Sequence, residues 1–175
     1  MGPKLDISDQ VTAGYHGTSL TVAQEIVSTN FKMSAPDSGA YLGVGVYFFD
    51  NQPSQAKRWA QTRFGTTLGS KIAVIQSKIK YGRLLNLTDR ENHDSVQWFA
   101  REYQRKANKT VTLPTIIDIV AEQLNAEAVK AMRIPKNPNF LMQTGFSADI
   151  EVILAVRDVK NILSREQIWS EMTTS

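Results

Sequence analysis

The stretch YLGVGVYFFDN, residues 41–51, passes from a glycine-spaced loop into a run of β-branched and aromatic side chains. Such side chains pack well on a pleated surface, so a strand is predicted over VGVYFF, residues 44–49. Gly43 and Gly45 begin a G-x-G-x-x-G pattern, but its third position is Phe48. A dinucleotide fingerprint also leaves a strand to enter a helix, whereas these glycines lead into a strand. A doubly wound nucleotide fold is excluded on that context. The sequence also lacks a G-x-x-x-x-G-K-[ST] phosphate loop and a G-x-S-x-G nucleophile elbow.

Downstream, Pro53 suits a first helical position, and Ala56, Trp59, Ala60 and Phe64 recur at helical spacing behind it. Upstream, GYHGTSLTVAQEIV, residues 14–27, sets His16 before Gly17, Thr18 and Ser19. Thr21 and Gln24 have capping-box spacing ahead of Val22, Ala23, Ile26 and Val27, which predicts a helix over 22–29. Ser19 and Thr21 read as caps rather than ligands. MSAPDSGAYLG, residues 33–43, is a loop by composition.

Further along, KIAVIQSKI and RLLNL read as two strands with Gly82 between them. Val96, Phe99, Ala100, Tyr103 and Ala107 form a helical stripe. Pro114 opens a longer helix with Ile117, Val120, Leu124 and Ala131 inward. RIPKNPNFLMQTG, residues 133–145, is a loop with two prolines. IEVILAV, residues 150–156, is apolar enough to be a central strand. Ser164 and Gln167 are spaced to cap a last short helix carrying Ile168 and Trp169. Strands and helices mix without regular alternation, so the class is α+β, in one domain spanning 1–175.

Composition narrows the chemistry. With 175 residues, 42% of them apolar, the chain can bury one sizeable core. The absence of cysteine removes disulfides, thiolate catalysis and cysteine-based zinc sites. With two histidines, His16 and His93, and no cysteine, a dedicated transition-metal site is not expected, and His93 in DRENHD reads as solvated. A net charge of +3 tolerates a polyanion without demanding one. No apolar run reaches the roughly 18 residues of a membrane span, and MGPKLDISDQ lacks an apolar signal core, so a cytoplasmic protein without membrane partners is expected.

Taken singly, the notable residues read as ordinary ones. His16, Tyr47 and Trp59 suit a core, and Glu151 suits a solvated strand end, although glutamate is depleted in strands. Asp149 falls on the same strand face as Glu151 if the strand extends that far.

Together, YHGTS before a helix, YLGVGVYFFDN across a loop into a strand, and DIEVILAVRD on a late strand follow one order and spacing. They resemble the PARP-like ADP-ribosyltransferase superfamily in its His–Tyr–Glu branch, with His16, Tyr47 and Glu151 as the three motif residues. The likeness covers about residues 14–160. It is closest at GVGVYFFDN with the following QAKRWA, and loose over about 85–140. It implies split, mostly antiparallel β-sheets with flanking helices, NAD as substrate and no metal.

By that resemblance, Glu151 binds the ribose hydroxyl and stabilises the oxocarbenium-like state formed as nicotinamide leaves; it can also polarise an acceptor. Tyr47 stacks on the nicotinamide, a flat cation while bound to ribose, with Trp59 as the second aromatic in a displaced register. His16 hydrogen-bonds the adenosine ribose. Gly17 offers its backbone to the carboxamide, Thr18 belongs with the same NAD-binding group, and Ser54 is the nearest match to a small hydroxyl on the following helix.

The implied activity is single-unit ADP-ribose transfer from NAD to a macromolecule, by a toxin, effector or phage-defence enzyme. RNA or DNA stands slightly ahead of protein as acceptor, because REYQRKANK and KAMRIPK could track phosphates. An antitoxin or immunity partner fits a toxin of this kind. An NAD glycohydrolase and a catalytically silent NAD- or ADP-ribose-binding module are the alternatives. A tRNA 2′-phosphotransferase is disfavoured because no arginine stands at position 47 or 151. Residues 94–132 carry no recognisable chemistry.

Overall fold

The computed structural model describes residues 2–35, 40–108, 110–134 and 150–174. In chain order the elements are β1 (Asp6–Ser19), α1 (Leu20–Ser28), β2 (Val46–Asp50), α2 (Pro53–Phe64), β3 (Lys71–Asn86), α3 (Arg90–Ala107), α4 (Leu113–Gln123), β4 (Ala128–Arg133), β5 (Glu151–Val156) and β6 (Glu166–Met172). The fold is α+β. Among the described residues no helix is long and apolar enough to cross a membrane.

The strands are hydrogen-bonded in the order β1-β2-β5-β4-β3-β6, and β1 also pairs with β3, so five of them close a circuit with β6 outside it. All pairings are antiparallel except β3 with β4. The separate sheets implied by the resemblance are thus joined into one. The joins are short. β1 meets β2 only at Gly14–Asp50 and Tyr15–Phe49, and β3 meets β4 only from Leu84–Ala128 to Asn86–Lys130.

Alternation along the strands sorts the core into layers. Phe48, Ile75, Ile79, Leu154 and Val156 point inside the circuit, where Ala23 and Ile26 of α1 join them. Ile153, Ala155, Val129 and Leu85 point outward and are covered by Val96 of α3 and Ile116, Ile117 and Val120 of α4. Ala56 of α2 packs on Phe49 and Val74. β5, between β2 and β4, is covered on both faces, as its apolar sequence requires.

Several expectations are corrected. The predicted pair KIAVIQSKI and RLLNL is one strand, β3, bent at Gly82 rather than broken there. Gly82 has φ +62°, and an added Cβ would lie 2.2 Å from Glu127 Oε2. β1 carries an irregularity opposite, between Ser8 and Val11, which absorbs the bend. Ala131 lies on β4, not on the preceding helix, because the chain turns through Asn125 at φ +53° and then pairs with β5. The expected last helix is strand β6. Ser164 accepts the Lys78 N–H at 2.9 Å instead of capping a helix, and the edge of β3 takes 166–172 as a partner. α1 begins at Leu20, with Ser19 rather than Thr21 as cap.

Candidate active site

His16 lies on the inward face of β1, between Phe31 and Phe48, with ring centroids 5.4 and 6.0 Å away in edge-on geometry. Its Nδ1 stands 2.8 Å from the Tyr47 carbonyl. A carbonyl can only accept, so Nδ1 carries the proton and Nε2 of the neutral ring is left as an acceptor. Burial pushes the His16 pKa below its ordinary value, although the bond to Tyr47 opposes the shift.

Tyr47 is tied to the loop that precedes it. Its hydroxyl donates to the Gly43 carbonyl at 2.5 Å and accepts the Leu42 N–H at 2.8 Å. Burial pushes its pKa up to about 12, so the group is a phenol in the physiological range. Asp118 of α4 fixes the same loop by accepting the Val44 N–H at 2.8 Å, and Arg157 holds Asp118 at 2.5 Å.

Two clefts meet at this pair. One, of about 340 Å³, is lined by Tyr15, Gly17, Tyr41, Phe49, Trp59 and Arg133 together with His16 and Tyr47. The other, of about 380 Å³, is lined by Glu25, Asn30, Phe31, Lys32 and Ser34, again with His16 and Tyr47. The histidine and the tyrosine therefore form the ridge between two recesses. Trp59, expected as core, is 40% exposed. Ala56 and Ala60 seat α2, leaving the indole on the flank, 6.4 Å from Phe49 and facing the first cleft.

Glu151 is 7% exposed, so it is not a solvated strand end. Tyr47, Phe49, Ile153 and Glu151 share one sheet face, since Tyr47 pairs with Ala155 and Phe49 with Ile153. Arg133, directly opposite Glu151 on β4, lines the first cleft, whereas Glu151 itself lines neither cleft. Its Nε and Nη2 lie 2.7 and 2.5 Å from Glu151 Oε2. Its guanidinium also lies 5.7 Å from the Tyr41 ring and 5.8 Å from the Trp59 ring. A planar cation thus sits within cation–π reach of two aromatic rings and on a carboxylate.

Other expected residues fall elsewhere. Thr18 is buried and lines neither cleft, and Ser54 is an exposed residue of the first turn of α2, also outside both. Gly17 does line the first cleft, but a Cβ there would lie 2.1 Å from the Ala56 carbonyl. The close approach of α2 by itself requires glycine at this position. Asp149 lies outside the described residues. His93 is exposed beside Asp94 at 3.4 Å.

Arg133 and Tyr41 were not legible as site residues. Arg133 stood at the head of an apparent loop, and only the β4–β5 register sets it against Glu151. Among the described residues no group of three or more histidine, aspartate and glutamate side chains could hold a metal ion. The sequence matches no known family model and no curated protein.

Proposed function

We propose that the protein is an NAD-dependent mono-ADP-ribosyltransferase on a PARP-like fold, acting on a macromolecular acceptor. The observation that carries this reading is the ridge of His16 and Tyr47 between two clefts, with Glu151 on the same sheet face as Tyr47. A dinucleotide has two bulky ends and a narrow waist, and two recesses sharing a polar ridge suit that shape. The aromatic cleft with Tyr47 and Trp59 takes the nicotinamide, a flat cation. Nε2 of neutral His16 accepts a ribose hydroxyl. Glu151 steadies positive charge at the ribose as nicotinamide leaves. Arg133 holds Glu151 through one oxygen, Oε2, and must share or yield that carboxylate when ribose binds.

One ground for preferring a nucleic-acid acceptor weakens. In KAMRIPK, Lys130 is committed to Asp50 at 2.6 Å, so it is not free to track phosphates. The acceptor class is therefore left to the experiment. Purified protein is incubated with NAD carrying a labelled adenylate, and label is followed into the protein, RNA and DNA fractions of a lysate. Glu151→Gln should lower nicotinamide release by about 10²–10³-fold. Free ADP-ribose as the sole product would indicate water as acceptor, and folded wild-type protein that binds NAD without turnover would leave only a binding module.

A further inference from the structure

β2 parts from β5 early. Their ladder ends at Phe49–Ile153, and the chain then turns away through Asn51, at φ +55°, whose N–H donates to Ala13 of β1 at 2.8 Å. Beyond that point the C=O of Ile150 and the N–H of Val152, which flank Glu151, have no partner in the β2 ladder. One side chain takes both. Gln52 Nε2 donates to the Ile150 carbonyl at 2.8 Å, and the Val152 N–H donates to Gln52 Oε1 at 2.7 Å. The amide reproduces the donor and acceptor of a strand residue and so prolongs the ladder past the end of β2.

A second observation agrees with the first. Gln52 occupies the N-cap of α2, where a side chain ordinarily serves the helix, yet it makes no such bond. Only its backbone carbonyl serves the helix, accepting from Gln55 and Ala56 at 3.2 and 3.3 Å. The side chain is committed to β5. Glu151 is the first residue of that strand, where ladders fray most readily. Its other edge is held by Arg133 of β4.

We infer that Gln52 is a positioning residue for Glu151: its side-chain amide clamps the backbone on both sides of the carboxylate and ties it to the helix that carries Trp59. The inference rests on Glu151 being the catalytic carboxylate proposed above. Clamping matters because the carboxylate must meet the developing charge at the ribose, and a displacement of about 1 Å at such a centre can cost on the order of 10²-fold in rate.

The test compares wild type, Glu151→Gln, Gln52→Ala and Gln52→Glu by steady-state nicotinamide release and by amide hydrogen exchange at Val152. Gln52→Ala should lower kcat by about 10²-fold while KM stays within about twofold. Its Val152 amide should exchange about tenfold faster or more. Gln52→Glu can still accept the Val152 N–H, but its carboxylate faces the Ile150 carbonyl at neutral pH. Its deficit relative to wild type should shrink as pH falls toward about 4.3, where a protonated carboxyl can donate. A role confined to starting α2 would lower stability without that recovery. Should Gln52→Ala fail to fold, Gln52→Glu carries the same readings.

A folded Gln52→Ala with wild-type kcat, or with only KM raised, overturns the inference. If wild-type protein releases no nicotinamide, the reaction reading fails by itself and Val152 exchange judges the clamp. Unchanged protection in Gln52→Ala then overturns the clamp, and faster exchange upholds it.

Discussion

His16 shows how one side chain can pack in a core and line a cleft at once. Its ring is enclosed by Phe31 and Phe48, yet it lines both clefts. Burial lowers its pKa in the folded state below the ordinary 6.5. The unfolded chain therefore binds a proton at this residue at a pH where the folded protein does not. The stability this provides is fully present above 6.5 and is lost as pH falls below it toward the folded value. The melting temperature should accordingly drop as pH falls through and below 6.5. His16→Asn, which keeps a donor near the Tyr47 carbonyl without a titrating ring, should show a flatter profile by calorimetry. Equal slopes for the two proteins would contradict a partly buried neutral imidazole.

α2 works as a lever between core and cleft. Ala56 and Ala60 are fully buried and let it lie close on β1, while Trp59 projects into the first cleft. The closeness depends on Gly17, since a Cβ there would meet the Ala56 backbone carbonyl at 2.1 Å. Backbone cannot swing aside as the end of a side chain can, so the whole helix must shift. Gly17→Ala should cost about 1–3 kcal/mol by overpacking, measured by urea denaturation. On the proposed function it should weaken NAD binding as well, because Trp59 moves with the helix. An unchanged urea midpoint would mean that α2 is not held as closely as this contact implies.

Across the whole molecule, the strand circuit is drawn together by one buried polar cluster as well as by its apolar lining. Asp50 accepts from Thr12 of β1 at 2.5 Å and from Tyr81 of β3 at 2.8 Å, and pairs with Lys130 of β4 at 2.6 Å. Four strands converge on one carboxylate near the short β1–β2 join. Burial alone would lower the Lys130 pKa, but hydrogen bonding to Asp50 and Tyr81 outweighs it and raises the value, keeping the ammonium charged. Removing one partner of a buried, bonded pair typically costs about 3–5 kcal/mol, because the other is left uncompensated. Asp50→Asn should destabilise the protein by roughly that amount in urea denaturation, and Asp50→Asn with Lys130→Met by clearly less. A single variant within about 0.5 kcal/mol of wild type would mean the cluster is incidental to the circuit.

The sequence by itself determined the elements whose cause is local. VYFFD extends because its side chains crowd the backbone, α2 starts at Pro53 because proline fits a first turn, and EVILAV is central because it is apolar on both faces. It also marked His16, Tyr47, Trp59 and Glu151 as residues to be explained. It misread AVKAMR as the continuation of a helix, since alanine and lysine favour one, and EQIWSEM as a helix from its spaced serine and glutamine. Both became strands because β5 and the edge of β3 offered backbone partners, an influence that no local propensity contains. Arg133 over Glu151, and the Gln52 amide on Ile150 and Val152, lay beyond local reading for the same reason. A hydrogen bond between residues about a hundred positions apart exists only once the register is set, and register is a property of the assembled sheet.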